Sequence, residues 1–312
     1  MINCCFTNSK KIMPRSSIDI EEYPKKINIV IDQQILNQLN DYNMIGDGYS
    51  SKVYKCRSSI NKKYYACKCI YKRYTRDALN EIKILKSFTS FNYLPKLIDF
   101  KENSVSFFIL MEYIRGRELF YLLDESCSLK KILNITYQIL LGIAELQEHN
   151  IFHLDLKLEN IIINSHNNVK ILDFGLSEKA VYKKNNSYYV ILKSLCGTLG
   201  YYSPEALLTL AVTEKTDLWN VGIILWMLLT KFPPFTIVPK QAYGFEIKNL
   251  ELFHPLIKHN IEFHNEEYLS LIDDKKVMYT DFINHTICNV KDRYSIYKLL
   301  NHDIFNDVKN NY

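Results

Sequence analysis

The sequence predicts an α+β fold in two lobes, a small strand-rich lobe followed by a larger helical one. Three observations carry this. Residues 42–111 hold short runs patterned as strands, YNMIGDGYSSKVYKC, KKYYACKCIY and SVSFFILMEY, with one helical stretch, DALNEIKILKSF, among them. From residue 119 onward helical patterns dominate, as in SLKKILNITYQILLGIAELQEHN. TDLWNVGIILWMLLT is apolar nearly all round, which assigns it to the middle of a core rather than to a surface.

Taken in order, residues 1–40 form a polar N-terminal extension in which Pro14 and Pro24 break any long element and INIVIDQQILNQLN reads as a short strand and helix. Residues 42–111 hold the strand patterns and residues from 119 onward the helical ones. In ALNEIKIL the apolar positions fall at helix spacing, whereas VSFFILM reads as a buried strand. A small lobe followed by a large one leaves a cleft between them, and there are no internal repeats.

Composition narrows the function classes. With 47% hydrophobic and 23% charged residues the chain is globular rather than disordered. A net charge of +5 without a basic stripe gives no footprint for nucleic acid. Eight cysteines, scattered and without CxxC pairs or a secretory leader, point to a reducing intracellular compartment, cytoplasmic or nuclear. Cys67 and Cys69, two apart in YYACKCI, share one strand face and read as packing residues. No apolar run reaches the roughly 18 residues of a membrane span. Cys4 and Cys5 offer a place for lipid anchoring, but Ile2 stands where myristoylation needs glycine. A monomer is expected.

Several stretches carry chemistry. In IGDGYSSKV, Gly46 and Gly48 fit either a tight hairpin or a loop whose N–H groups approach a phosphate; a strand, not a helix, follows, which excludes a P-loop and a dinucleotide fingerprint. Lys68 in ACKCI sits among apolar residues and is costly there unless an anion pairs with it; Glu81 is an available partner, against the alternative of a solvated lysine and a surface glutamate. HLDLKLEN supplies Asp155, whose carboxylate can accept a hydroxyl proton, and Lys157, whose charge can meet negative charge developing on a transferred group. Asn160 in that run and Asp173 in DFGLS offer the hard oxygen atoms that Mg²⁺ prefers. Each residue alone has a bland reading as a polar loop residue, but their order and spacing together do not.

That ordered set resembles the eukaryotic protein kinases over residues 42–305. The resemblance implies a bilobal fold with an antiparallel small-lobe sheet, one main small-lobe helix and a helical large lobe. The bounds it implies are a small lobe at 41–111, a hinge at 112–114, a large lobe at 115–305 and a short tail at 306–312. It implies ATP and Mg²⁺ (Mn²⁺ as a substitute) as cofactors, and protein Ser/Thr hydroxyls as substrates. Ile45, Gly46, Asp47, Gly48 and Val53 then belong to a glycine-rich loop. Ala66, Met111, Ile162 and the hinge from Glu112 to Ile114 would meet adenine, and Lys68 would hold phosphates against Glu81. His153-Leu154-Asp155 stands in for the catalytic loop, with Asn160 and Asp173 as metal ligands. Ser203-Pro204-Glu205 closes an activation segment, with Glu205 paired to Arg293, and Asp217 and Trp219 sit on the central helix. Leu85, Leu97, Phe174 and His153 would form one stacked apolar column; Val53, Ala66 and Ile162 would form another with adenine. Lys157 and Thr198 resemble the Ser/Thr class, and HLDLK, CGTLGYYSPE and KFPPF resemble the calmodulin-dependent, myosin-light-chain-kinase-like group. Glu118 and Glu159 resemble acids that bind basic residues upstream of the target hydroxyl.

Five departures stand out. Ser51 replaces the third loop glycine. Lys68 and Glu81 are closer in sequence than usual, so the helix bearing Glu81 is expected to start late. KKNNSYYVILK lengthens the activation segment, where Ser187, Tyr188, Tyr189 and Ser194 read either as exposed modification sites or as part of a solvated, flexible insertion. No regulatory tail is expected after Phe305. Leu154 replaces an arginine that pairs with an activation-loop phosphate, which implies activity without that phosphate. The alternative to an enzyme is a pseudokinase scaffold, but Lys68, Asp155, Asn160 and Asp173 are all present.

Overall fold

A computed structural model of the protein describes residues 39–48, 50–87, 91–180, 182–184, 187–234 and 276–312. The expectations for residues 1–38, including a lipid at Cys4 or Cys5, lie outside the described residues. The chain divides into two compact units, the first holding the described residues up to Ala78 together with Leu97–Tyr113, the second holding Leu79–Lys96 and the described residues from Ile114 onward.

In the first unit, β1 (Leu39–Asp47), β2 (Ser51–Ser58), β3 (Tyr64–Tyr71), β4 (Leu97–Glu102) and β5 (Ser106–Glu112) form an antiparallel sheet in the order β1-β2-β3-β5-β4. The sheet begins at Leu39, ahead of the expected boundary at 41. Residues directly opposite one another share a face. Cys56, Cys67, Cys69, Phe108 and Leu110 therefore gather on one side as a buried cluster with Leu39, flanked by Tyr42, Tyr54 and Tyr65. The packing role expected for the two β3 cysteines follows from this register. The helix α1 (Thr75–Lys86) straddles the division between the units. A 3₁₀ turn at Lys72–Tyr74 leads into it. Asp77 lies in its first turn and Lys83 and Lys86 in its last, each matching the helix dipole.

The second unit is built on α2 (Leu129–Glu148) and α4 (Thr216–Thr230). In α2, Ile132, Ile135, Ile139, Ile143 and Leu146 are buried at three- and four-residue steps, and the Ser128 hydroxyl caps its first turn by accepting from the Lys131 N–H. Every residue of α4 from Thr216 to Thr230 is buried except Trp226, as its all-round apolarity predicts. Around this pair lie β6 (Arg117–Glu118), β7 (Ile151–Phe152), β8 (Ile161–Ile163), β9 (Val169–Ile171) and β10 (Glu178–Lys179). They are followed by β11 (Tyr182–Lys184), β12 (Ser187–Ile191), α3 (Pro204–Thr209), β13 (Ala211–Thr213), α5 (Lys276–Asn284) and α6 (Ile296–Leu300). Short sheets form as β6-β8-β9, β10-β7 and β11-β12-β13. No helix among the described residues is long and apolar enough to cross a membrane.

The last of these sheets corrects one expectation. Residues 182–184 and 187–191 of the insertion are not solvated coil: β12 is antiparallel to β11 on one side and to β13 on the other. Of the four hydroxyls expected to be exposed, Ser194 is, but Ser187, Tyr188 and Tyr189 are half-buried because β12 is the central strand.

Candidate active site

HLDLKLEN folds as an anchored loop between β7 and β8. His153, Leu154, Leu156 and Leu158 are buried and hold the backbone down. Asp217 on α4 fixes the start of the loop: its carboxylate accepts the His153 N–H at 2.7 Å and the Leu154 N–H at 2.9 Å. Burial pushes the Asp217 carboxyl up, while these two N–H donors favour its charged form. Leu154 adopts a left-handed backbone, φ +65°. That conformation costs a non-glycine residue on the order of 1–2 kcal/mol, which the bond to Asp217 offsets. Asn220, one turn on, donates to the Leu156 carbonyl at 3.0 Å and to the Tyr201 carbonyl at 3.2 Å. The His153 ring is locked as well. Its Nδ1 accepts the Asp155 N–H at 3.3 Å and its Nε2 lies 3.0 Å from the Leu172 carbonyl, so the proton sits on Nε2. The same ring meets Phe174 edge-on, with centroids 5.2 Å apart.

So held, Asp155 is the centre of a polar chain. Its Oδ1 accepts from the Thr198 hydroxyl at 2.6 Å, its Oδ2 lies 3.0 Å from the Lys157 ammonium, and Lys157 also donates to the Thr198 Oγ1 at 2.6 Å. Asn160 Nδ2 donates to the Asp155 carbonyl at 2.8 Å and to its Oδ2 at 3.1 Å. Both donor contacts of that amide thus go to Asp155, which turns its Oδ1 into a fixed oxygen donor. Asp173 is exposed on a left-handed turn, φ +66°, where the Gly175 N–H donates to its carboxylate at 3.2 Å. An amide oxygen and a carboxylate are the donor types that fit Mg²⁺, which takes its remaining ligands from phosphates and water. Among the described residues no cluster of three or more His, Cys, Asp or Glu that could hold a metal ion is present.

The remaining candidates sort by unit. In the sheet, Gly46 pairs with Val53, Val53 with Lys68, and Ala66 with Met111, so Val53, Ala66, Lys68 and Met111 share the face opposite the cysteine cluster. Lys68 is 5% exposed. Asp47 and Lys52 approach at 3.6 Å, Gly48 closes the β1–β2 turn by donating to Ser51, and Ile45 is exposed. Glu112 ends β5 opposite Tyr65. In the second unit Glu81 is 1% exposed on α1, and Ile114 follows the division between the units. Ile162 pairs with Glu118 across β8 and β6. Burial raises both acids of the expected basic-residue site. Glu118 rises further through the charge of Glu159, and Glu159 Oε2 is buried with no hydrogen-bond partner among the described residues.

The expected pair of Glu205 and Arg293 is present: the guanidinium donates to both carboxylate oxygens, at 2.8 and 3.1 Å, and to the Lys215 and Cys288 carbonyls. Burial alone would raise the Glu205 carboxyl, but Arg293 overrides it and holds the group below its usual value. Two positioning residues escaped the sequence reading of roles, Asp217 as the clamp on the loop and Asn220 as its tie to Tyr201. Their signal was legible: two polar residues three apart on a helix otherwise apolar all round.

Comparison with known proteins agrees with this arrangement. Residues 39–305 match the protein kinase domain family. The chain is 31% identical over 271 residues to myosin light chain kinase A of Dictyostelium discoideum, covering 83% of this chain and 84% of that protein. It is 29% identical over 255 residues to calcium/calmodulin-dependent protein kinase type 1 of Caenorhabditis elegans, covering 78% of this chain and 67% of that protein. Family match, sheet-plus-helix architecture and the ordered loop residues converge: the chain belongs to the protein kinases, as a serine/threonine kinase of the calmodulin-dependent, myosin-light-chain-kinase-like group.

Proposed function

We propose that the protein transfers the γ-phosphate of Mg-ATP to Ser or Thr hydroxyls of protein substrates, and that it does so without phosphorylation of its activation segment. The observation that carries the reading is the Thr198–Asp155–Lys157 chain, with Asn160 clasping the same carboxylate. Asp155 presents an oxygen that already accepts from a hydroxyl, the role a base needs toward a substrate hydroxyl. Lys157 supplies positive charge beside the transferred group, and Thr198 stands at the end of the segment where substrate would enter. Lys68 and Glu81 orient phosphates. The sheet residues Ile45, Gly46, Asp47, Gly48, Val53, Ala66, Met111 and Glu112, with Ile114 and Ile162, contact the nucleotide. Asn160 and Asp173 hold Mg²⁺, which neutralises phosphate charge when bound.

Glu118 and Glu159 favour substrates with Arg or Lys about three residues before the target. A Glu159 oxygen that has no hydrogen-bond partner among the described residues supports this, since a guanidinium would satisfy it. Leu154 cannot pair with a phosphate, which supports activity of the unphosphorylated chain.

The test is γ-phosphate transfer to a basic protein with Mg-ATP, wild type against Asp155→Asn, both treated with phosphatase. The expected loss for the variant is roughly 10²–10⁴-fold, the worth of a positioned base. An active variant removes the assignment of the base; an inert wild type that gains activity on loop phosphorylation alone removes the claim of independence. A peptide library without basic preference removes the role of the two glutamates.

A further inference from the structure

We propose that an apolar seam centred on Leu154 locks the activation segment in place, and that a negative charge on the inward face of β12 releases it and switches the enzyme off. The proposal rests on the kinase reading above.

Leu154 is 8% exposed and packs in one buried cluster with Phe152, Ala180, Leu192, Ala206 and Val212. The activation segment reaches that cluster through strict alternation. Tyr188, Val190 and Leu192 point inward and pack in it or against it, while Ile191 points outward and is 61% exposed. Tyr189, also outward, stacks on Tyr182 with ring centroids 5.4 Å apart. The backbone closes the same seam: Val190 pairs with Val212 across β12 and β13, and the Leu192 N–H donates to the Leu210 carbonyl at 2.7 Å.

The seam runs directly to the chemistry. Gly197, φ +108°, lies so close to the Leu154 carbonyl that a Cβ there would stand 2.7 Å from it. Thr198 follows, with its hydroxyl on Asp155. Docking of residues 188–192 thus sets the position of Thr198 through the short stretch of chain that ends at Gly197, against the Leu154 carbonyl. Apolar packing does here what a phosphate–guanidinium pair would do, and it is formed with no charge to add.

The sign of regulation follows. A phosphate brings a charge of about −1.5 to −2, which an apolar contact cannot accommodate. On Tyr188 it would enter the seam, and Lys183, whose ammonium sits 5.1 Å above that ring, would draw it outward. On Ser187 or Tyr189, which face away, it would be tolerated.

The experiment uses the full, phosphatase-treated chain and two readouts: initial rates on a basic protein with Mg-ATP, and limited proteolysis of residues 181–195. Tyr188→Glu and Leu192→Asp are expected to lose about tenfold or more in kcat/KM, within the usual span of a coupling energy, and to become cleavable in the segment. Ile191→Asp and Ser187→Glu are expected to stay within about twofold, as surface changes do, and to keep protection. Inward and outward variants that behave alike overturn the proposal, as does a Tyr188→Glu variant of raised activity. Should Leu192→Asp fail to fold, Tyr188→Glu at the rim of the seam decides it. A wild type that transfers no phosphate overturns the kinase reading, and the protease pattern still decides the seam.

Discussion

Arg293 shows how one residue can carry both charge and architecture. It is 1% exposed, lies over the Trp219 ring at 5.4 Å, and donates to a carboxylate and two carbonyls from different parts of the second unit. Arg293→Met leaves Glu205 buried without its counter-charge, and the expected cost is about 3–5 kcal/mol in denaturant unfolding. The pH dependence should change sign as well. In the wild type Glu205 titrates below its unfolded value of 4.5, so its contribution is present above that pH and is lost as pH falls through the folded value. In the variant burial, the largest influence on the group, is opposed only by hydrogen bonds such as that from the Thr216 hydroxyl, so the group is expected to rise and stability to grow as pH falls from neutral toward 4.5. Unfolding curves across the acid range decide between the two slopes. Arg293 was legible in the sequence by resemblance to the family pattern; its contacts with Lys215 and Cys288 were not, because carbonyls carry no sequence signature.

At the scale of elements, α4 owes its place to one missing side chain. A Cβ on Gly222 would stand 2.3 Å from the Thr286 hydroxyl oxygen and 2.8 Å from Ile287, so the helix lies directly against the turn after α5. Gly222→Ala is expected to cost about 1–3 kcal/mol, the usual cost of overpacking, although alanine is the better helix former; thermal melting measures it. The element patterns of α2, α4 and β5 were readable because each has a clean period, and α1 because its apolar residues recur at helix spacing. The hairpin β11–β12 was not. SYYVI alternates, but in a stretch flanked by KKNN the alternation is short, and its partner β13 is a distant AVT. Pairing over that separation is a tertiary fact. The inward run from Tyr188 to Leu192 became meaningful only once Leu154 supplied the surface it covers.

For the molecule as a whole, two compact units imply two separate unfolding reporters. Among its described residues the first unit holds three buried cysteines, and burial pushes Cys56 up to about 11 and raises Cys67 and Cys69 as well. In the native protein at mild pH these thiols should resist a thiol-specific reagent, and they should react together as denaturant opens the sheet. Cys127 and Cys196, half-buried in the second unit, should react before them. Early reaction of Cys67 under native conditions would contradict the burial of this cluster. The two-lobed α+β organisation was legible from patterning alone, as the change from short strands to long helices marks the passage from one unit to the other.

The sheet of the activation segment has one more consequence. Among the described residues β11 is the outer strand of β11-β12-β13, and one of its edges has no strand paired to it there. Its sequence is Tyr-Lys-Lys, and Tyr182 is exposed beside the exposed Ile191 of the neighbouring strand. Without Lys183, exposed on this strand, this would be a sticky margin open to self-assembly. With it, a second copy arriving edge to edge meets like charge as it approaches. The insertion that stabilises the segment thus carries its own guard against fibril-like growth.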